Sequence, residues 1–439
     1  MQNAAKCCLI AVPHPEDELG VAGQLIPSLV ARGWNVCVLF ATNGDHETEQ
    51  RGTQRMREAI AALNVLGVKE GSVVFLGYGD GWRGAVHLYN AAETVPLTSA
   101  AGRCETYGLP EHPEYRMQKS GHHSVYTRVN YKRDLKEAVL ETGASVLVCV
   151  DFDPHPDHRC LSLMLEEILG EILREQPAYH PIVLKKFTCA GGRTEPRDYF
   201  RRPMRETRPP GLRWDNNHAL CLEALPHSWE TRLRFSVPPE TCALRIGKNP
   251  VYRAARKYRG RSALLCAERL CNADAVYWPR RTDSLSYRAD FSSSSGNPAC
   301  LRDFKLFDCT DVLHSEPDLF SGCLWIPENK DSEKSVTVTF PEPSLVTCAV
   351  LYENFSPADH IRDGVLLFDN GFSVRTGPLR PDGAGTRIPL DPQRNVRSLT
   401  FRITEFTGQC PGLTEMEIYG SAEGPDYGAI VPLYAGAGR

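Results

Sequence analysis

The sequence predicts an α/β domain built on a mostly parallel sheet with helices on both faces, followed by an all-β sandwich of the jelly-roll kind. Three observations predict it. Through the first half, short apolar runs alternate with amphipathic stretches of helical period. Past Phe291-Ser-Ser-Ser-Ser-Gly296 that period vanishes, and short runs of period-two alternation replace it. Two strongly polar clusters also directly follow two of the apolar runs, where the carboxyl ends of parallel strands face a ligand crevice.

Cys7-Cys8-Leu9-Ile10-Ala11-Val12 reads as a buried strand, and 19–31 as a helix carrying Val21, Leu25, Ile26 and Leu29, ended by Gly33. Residues 35–40 are the next strand, which completes a βαβ unit, right-handed by default. The pattern repeats: a helix over 55–66 closed by Gly67, a strand over 73–76, a helix over 131–142 broken by Gly143, the most apolar strand over 145–150, and a helix over 160–173. One more helix is expected over 252–270. Between 76 and 128 lies a long irregular stretch headed by Gly77-Tyr78-Gly79-Asp80-Gly81-Trp82, and such a stretch inside a compact domain reads as an active-site wall or lid. The Arg- and Pro-rich 191–210 reads as a solvated surface loop.

In the last third, Val336, Val338 and Phe340 share one face of a strand, as do Leu399, Phe401 and Ile403. Turn residues separate the strands at Pro341-Glu-Pro, Asp369-Asn-Gly, Pro381-Asp-Gly and Pro411-Gly. The expected division is 1–290 for the α/β domain, 295–421 for the sandwich and 422–439 for a C-terminal tail.

Bulk properties agree with this division. A chain of 439 residues is long for one domain, and 42% hydrophobic with 24% charged residues suits a globular protein with a large core. A net charge of −4 argues against a nucleic-acid partner, which calls for a strongly basic domain. Sixteen cysteines suggest a disulfide framework at first, yet Cys7, Cys37, Cys149 and Cys348 sit inside apolar runs, where a thiol acts as a small hydrophobe. No Cys-x-x-Cys pair occurs, so a reduced compartment is expected. With no signal-peptide pattern and no apolar run of spanning length, the expectation is a cytoplasmic chain without a membrane span.

The chemistry lies in the two clusters. His14-Pro15-Glu16-Asp17-Glu18 follows the first strand, and Asp151-Phe-Asp-Pro-His155-Pro156-Asp157-His158 follows the strand over 145–150. Acids alone could cap a helix or favour its dipole. Two such clusters meeting across one crevice instead suggest a divalent metal. His14, Asp17 and His158 supply two imidazoles and a carboxylate, the set expected of a catalytic zinc that keeps a fourth position for water. Glu16 is the candidate base for that water. His155 is the candidate to stabilise the oxyanion or protonate the leaving amine, with Asp157 holding its ring in one tautomer. Glu18 is left to support a ligand or cap the next helix. No Gly-x-Gly-x-x-Gly follows the first strand, which weakens a nucleotide-binding reading.

Over roughly residues 6–290 the chain resembles the PIG-L/LmbE-like deacetylases, a family with a Rossmann-like fold. Their pattern is His-Pro-Asp-Asp-Glu in the first loop and His-Pro-Asp-His in the later one, against His14-Pro15-Glu16-Asp17-Glu18 and His155-Pro156-Asp157-His158 here. The resemblance implies zinc on His14, Asp17 and His158, with Glu16 as base where the family has Asp. Thr42-Asn-Gly-Asp45 and Arg55-Met-Arg-Glu58 also fit. Arg55 is thereby expected near substrate, and Asp45 and Asp80 are taken as further substrate-binding residues.

Residues 295–421 resemble the discoidin-type, galactose-binding-like sandwich, on Trp325-Ile-Pro, Val350-Leu-Tyr352, Asp369-Asn-Gly371 and Gly412-Leu-Thr-Glu-Met-Glu-Ile-Tyr-Gly420 among others. Trp325, Tyr352, Phe355 and Phe372 are its candidate sugar-stacking residues, although buried aromatics of such sandwiches more often serve the core. The function implied is zinc-dependent N-deacetylation of an amino sugar or its conjugate, with a small molecule or glycan as substrate. The rivals are an amidase acting on a non-sugar amide, and a sugar-binding protein with a degenerate catalytic domain.

Overall fold

The computed structural model describes residues 6–84, 86–151, 155–186, 202–207, 229–259, 270–308, 312, 323–354, 356, 358–381 and 383–435. The first apolar run is β1 (Cys7–Val12), buried throughout. Then come α1 (Asp17–Ala22), α2 (Ile26–Ala31), β2 (Asn35–Thr42), α3 (Glu49–Leu66), β3 (Val73–Tyr78), α4 (Tyr115–Ser120), α5 (Arg128–Thr142), β4 (Val146–Val150), α6 (Pro156–Glu175) and β5 (Ile182–Lys186). After them follow β6 (Leu233–Ser236), α7 (Pro239–Cys242), α8 (Pro250–Ala255) and β7 (Asp274–Arg280).

These strands form one sheet in the order β3-β2-β1-β4-β5-β7-β6. The five from β3 to β5 are parallel, and β7 and β6 add antiparallel at one side. The chain moves outward from β1 through β2 to β3, then crosses back to place β4 on the other side of β1. That reversal opens a crevice at the carboxyl ends of β1 and β4, the general ligand position of such sheets.

The helices differ from the expected ones for local reasons. The helix expected over 19–31 is two, because Pro27 has no N–H to continue the ladder and falls in the first turn of α2. Residues 49–54 join α3 although they are polar, because the Thr48 side chain accepts the Arg51 N–H at 3.2 Å and caps it. At its other end Gly67 adopts φ 91°, the left-handed cap a side chain resists. Helix α6 begins at Pro156 rather than 160, so Asp157 and His158 lie in its first turn. Of the helix expected over 252–270, α8 covers the start, and 260–269 lie outside the described residues. So does most of the Arg- and Pro-rich stretch, with 202–207 described.

The second sheet contains β8 (Asp290–Ser293), β9 (Ser335–Glu353), β10 (His360–Phe368), β11 (Ser373–Arg375), β12 (Thr386–Thr407) and β13 (Leu413–Tyr419). Its order is β11-β10-β12-β9-β13, with β8 also on β9, and every pairing is antiparallel. Register shifts interrupt the long pairing of β9 with β12, and such irregularities bend the strands that carry them. The first half of β9 pairs β8, and its second half pairs β13. The two predicted faces, Val336/Val338/Phe340 and Leu399/Phe401/Ile403, are buried together with Trp325, Met416 and Ile418.

The tail returns to the first sheet. Ile430 and Val431 are buried in its core, and the Ser236 and Tyr434 N–H groups donate to the carbonyls of Pro432 and Arg234 along β6. No helix among the described residues is long and apolar enough to cross a membrane.

Where the two sheets meet, Arg280 of β7 donates to Glu417 Oε1 of β13 at 3.1 Å, and the hydroxyls of Tyr287, Tyr352 and Tyr419 also donate to that carboxylate. Glu415, two residues earlier on the same strand, is fully buried, and among the described residues neither of its oxygens has a hydrogen-bond partner. Burial, with the charge of Asp303 nearby, holds its carboxyl well above the usual range despite Arg280. A carboxyl raised in the fold stays protonated there while the unfolded chain ionises. Its stabilising contribution is therefore complete below the ordinary carboxylate pKa and is lost as pH rises toward the raised value. Glu415→Gln is expected to raise the melting temperature at pH 8, with the gain over the native protein shrinking by pH 5. Thermal melts across that interval check this, and a constant offset would contradict it.

Candidate active site

Both polar clusters reach the crevice. The first loop leaves β1 through Pro13 and enters α1 with Glu16 at its N-cap, at φ 105°. A positive φ is rare for a residue with a side chain and costs on the order of 1–3 kcal/mol, so something must hold it. Glu18 does: its Oε2 accepts the Glu16 N–H at 2.8 Å, and its Oε1 accepts the Tyr258 hydroxyl at 2.6 Å. Glu18 is fully buried, and that burial pushes its carboxyl up to about 8. Its place in the site is thus support beneath the strained turn.

Asp17 Oδ2 gathers both expected histidines. It accepts the His14 backbone N–H at 3.1 Å, faces His14 Nδ1 at 2.9 Å and lies 3.3 Å from His158 Nε2. Burial would raise Asp17, yet His158 and His14 outweigh it and hold the carboxyl well below its usual range. His14 shows the converse. Burial would lower it, but Asp80, Asp157 and Asp17 hold it well above the usual imidazole range. Its Nε2 lies 3.4 Å from Asp157 Oδ2 and 3.5 Å from Asp80 Oδ1, and is buried with no hydrogen bond among the described residues.

Two groups of three donor atoms, each within 4.8 Å of one another, share His14: His14, His155 and His158, and His14, Asp80 and Asp157. Buried imidazoles beside buried carboxylates, with a ring nitrogen lacking a bond, fit a divalent cation of the zinc type. Such an ion would compete with a proton for the imidazole of His14.

His155 caps α6, its Nδ1 accepting the Asp157 N–H at 3.2 Å. Its ring stands 4.8 Å from those of both His14 and His158, and it is the more exposed of the three. From His155 Nδ1 to Asp157 Oδ2 is 3.7 Å, beyond hydrogen-bond range. Asp157 Oδ1 instead meets His87 Nε2 at 3.1 Å. His87, from the wall after β3, was not anticipated; the many histidines of that stretch gave no sign which one turns inward.

Arg55 of α3 ties the first two loops together, donating to Pro15 O at 2.8 Å and Gly44 O at 3.0 Å. Its guanidinium also lies 3.5 Å from Glu16 Oε1 and 4.0 Å from Asp80 Oδ2. Gly44 permits this, since a β-carbon there would stand 2.6 Å from Arg55 Nη1. Asp45 is fully buried, with Oδ1 accepting the Asp80 N–H at 2.7 Å and Oδ2 accepting the Tyr107 hydroxyl at 2.9 Å. The contacts of Asp45 place it beneath Asp80, as a support for that loop. Of the sandwich aromatics, Trp325 is fully buried and donates to Ser295 O, Tyr352 packs by Arg280 at the junction, and Phe372 packs on Phe368. Phe355 lies outside the described residues.

An α/β domain with a histidine and aspartate cluster at its switch point, joined to an antiparallel sandwich, is the class that fold and site define. Residues 9–169 match the family described as PIG-L, GlcNAc-PI de-N-acetylase, and this part of the chain is a PIG-L family domain. Residues 322–419 match a domain of unknown function, DUF7402. Among solved structures, N,N'-diacetylchitobiose deacetylase from Pyrococcus horikoshii is similar at 20% identity, over 40% of this chain and 55% of its own, with a TM-score of 0.25. The family 32 carbohydrate-binding module of NanJ from C. perfringens is similar at 11% identity, over 30% and 92%, with a TM-score of 0.23. A chitosan-binding module from Paenibacillus sp. IK-5 is similar at 14% identity, over 31% and 98%, with a TM-score of 0.22. No curated protein matches the chain.

Proposed function

We propose that the chain is a zinc-dependent N-deacetylase that removes an acetyl group from an amino sugar of the N-acetylglucosamine type or its conjugate. What supports this reading is that Asp17 Oδ2 lies 2.9 Å from His14 Nδ1 and 3.3 Å from His158 Nε2, with Glu16 one residue earlier in a strained turn. These three residues would hold the ion. When bound, zinc supplies Lewis acidity toward an amide oxygen and lowers the pKa of water to about 7.

The chain's own groups do the rest. Glu16 takes the proton as water adds to the amide carbon, and Arg55 at 3.5 Å keeps that carboxylate oriented. His155, the most exposed of the three rings, is the group assigned to stabilise the oxygen on which charge develops. The C–N bond then breaks, a proton passes to the amine nitrogen, and acetate and the free amino sugar leave. Asp80, 4.0 Å from Arg55 Nη1, is the group assigned to accept a sugar hydroxyl. The domains are proposed to divide at 1–290, 295–421 and 422–439, and of the last segment Ile430 to Tyr434 pack back on the first sheet. Zinc-loaded protein incubated with a panel of N-acetyl sugars and non-sugar amides is expected to release acetate from the sugars. Release from the non-sugar amides alone would replace the sugar reading with an amidase.

A further inference from the structure

His87 is almost completely buried at 1% exposure, far in sequence from either polar cluster, in the wall that follows β3. Its Nδ1 accepts the Tyr89 N–H at 3.5 Å, so the ring carries its proton on Nε2, which faces Asp157 Oδ1 at 3.1 Å. That leaves Oδ2 of the same carboxylate toward His14 Nε2 at 3.4 Å.

The turn that presents His87 is itself clamped. The Tyr89 hydroxyl donates to Asp308 at 2.8 Å, Arg128 Nε donates to Tyr89 O at 2.8 Å, and Asn90 accepts the Val312 N–H at 2.8 Å. Val312 O in turn accepts from Arg159, the residue after His158. The wall is thus fastened to the helix that bears the site, and one ring at its tip meets one carboxylate oxygen.

We propose that His87 is the positioning residue of the site: by donating to Asp157 Oδ1 it fixes that carboxylate so that Oδ2 is presented to His14. This rests on the deacetylase reading for its kinetic consequence, not for its geometry. A carboxylate held at one oxygen cannot rotate away from the ring it serves, and partners of this rank are worth about 10–100-fold in metal affinity or activity. Acting through Asp157, His87 has no effect of its own once Asp157 is neutralised.

The test is a cycle of His87→Ala, His87→Gln, Asp157→Asn and the double variant His87→Ala/Asp157→Asn. Each is read by zinc affinity, in competition with a chelating dye, and by kcat and KM on the best N-acetyl sugar. His87→Ala is expected to lower zinc affinity and kcat within that range with KM little changed. His87→Gln, whose amide still donates, should recover most of the loss. In the Asp157→Asn background His87→Ala should cost nothing more. Equal losses in both backgrounds, or unchanged zinc affinity in His87→Ala, overturn the proposal. A native protein that cleaves no N-acetyl substrate counts against the deacetylase reading, while the zinc measurements still decide His87.

Discussion

Glu16→Gln is expected to lower kcat by about 10²–10⁴-fold, the range for loss of a positioned general acid or base. The change is nearly isosteric, and the backbone N–H at this position still donates to Glu18, so the turn persists. Zinc content should stay at the native level, which separates loss of the base from loss of the ion. Glu16→Asp is the informative companion, because the family carries Asp here and Glu is one methylene longer. Comparable turnover in the native chain and its Glu16→Asp variant supports a working base. Activity in the Glu16→Asp variant alone would make the native chain a sugar-binding protein with a silent site.

His158→Ala should abolish zinc-dependent turnover and weaken zinc binding by more than about 100-fold, the upper end for residues that merely support a ligand. The reason lies in how Asp17 is arranged. Its one oxygen Oδ2 meets both His14 and His158, so removal of either ring leaves a largely buried carboxylate short of one of its two imidazole partners. Chelation of the native protein should match the variant in activity, and added zinc should restore the native protein only. Metal analysis and acetate release on the same samples check this. Full activity in the chelated native protein would remove the metal from the reaction.

The order of strands and helices in the first half was legible because burial there follows period. Two-sided burial makes β1 and β4 continuous apolar runs, and Gly67 closes α3 where the apolar stripe ends. What failed to show was whatever depends on a single local bond or on a distant partner. The split between α1 and α2 follows from Pro27 within an otherwise helical pattern. The start of α3 follows from the Thr48 cap. The strands β5, β6 and β7 went unread, since β7 and β6 pair antiparallel at the side of the sheet and lie among charged, irregular chain.

The site divides the same way. His14, Glu16, Asp17, His155, Asp157 and His158 stood out in the sequence because short-range clustering of acids and imidazoles is costly without a cation among them. That they follow strands β1 and β4, and therefore face one crevice, was also determined by the chain, through the burial pattern. Only the tertiary structure decided how they are held: Glu18 and Tyr258 beneath Glu16, Tyr107 and Asp45 beneath Asp80, and His87 against Asp157. These contacts join residues far apart in the chain, and a hydrogen bond between two buried side chains leaves no period or spacing behind. Sequence pattern records which face a residue turns to the core; it does not record which partner awaits it there.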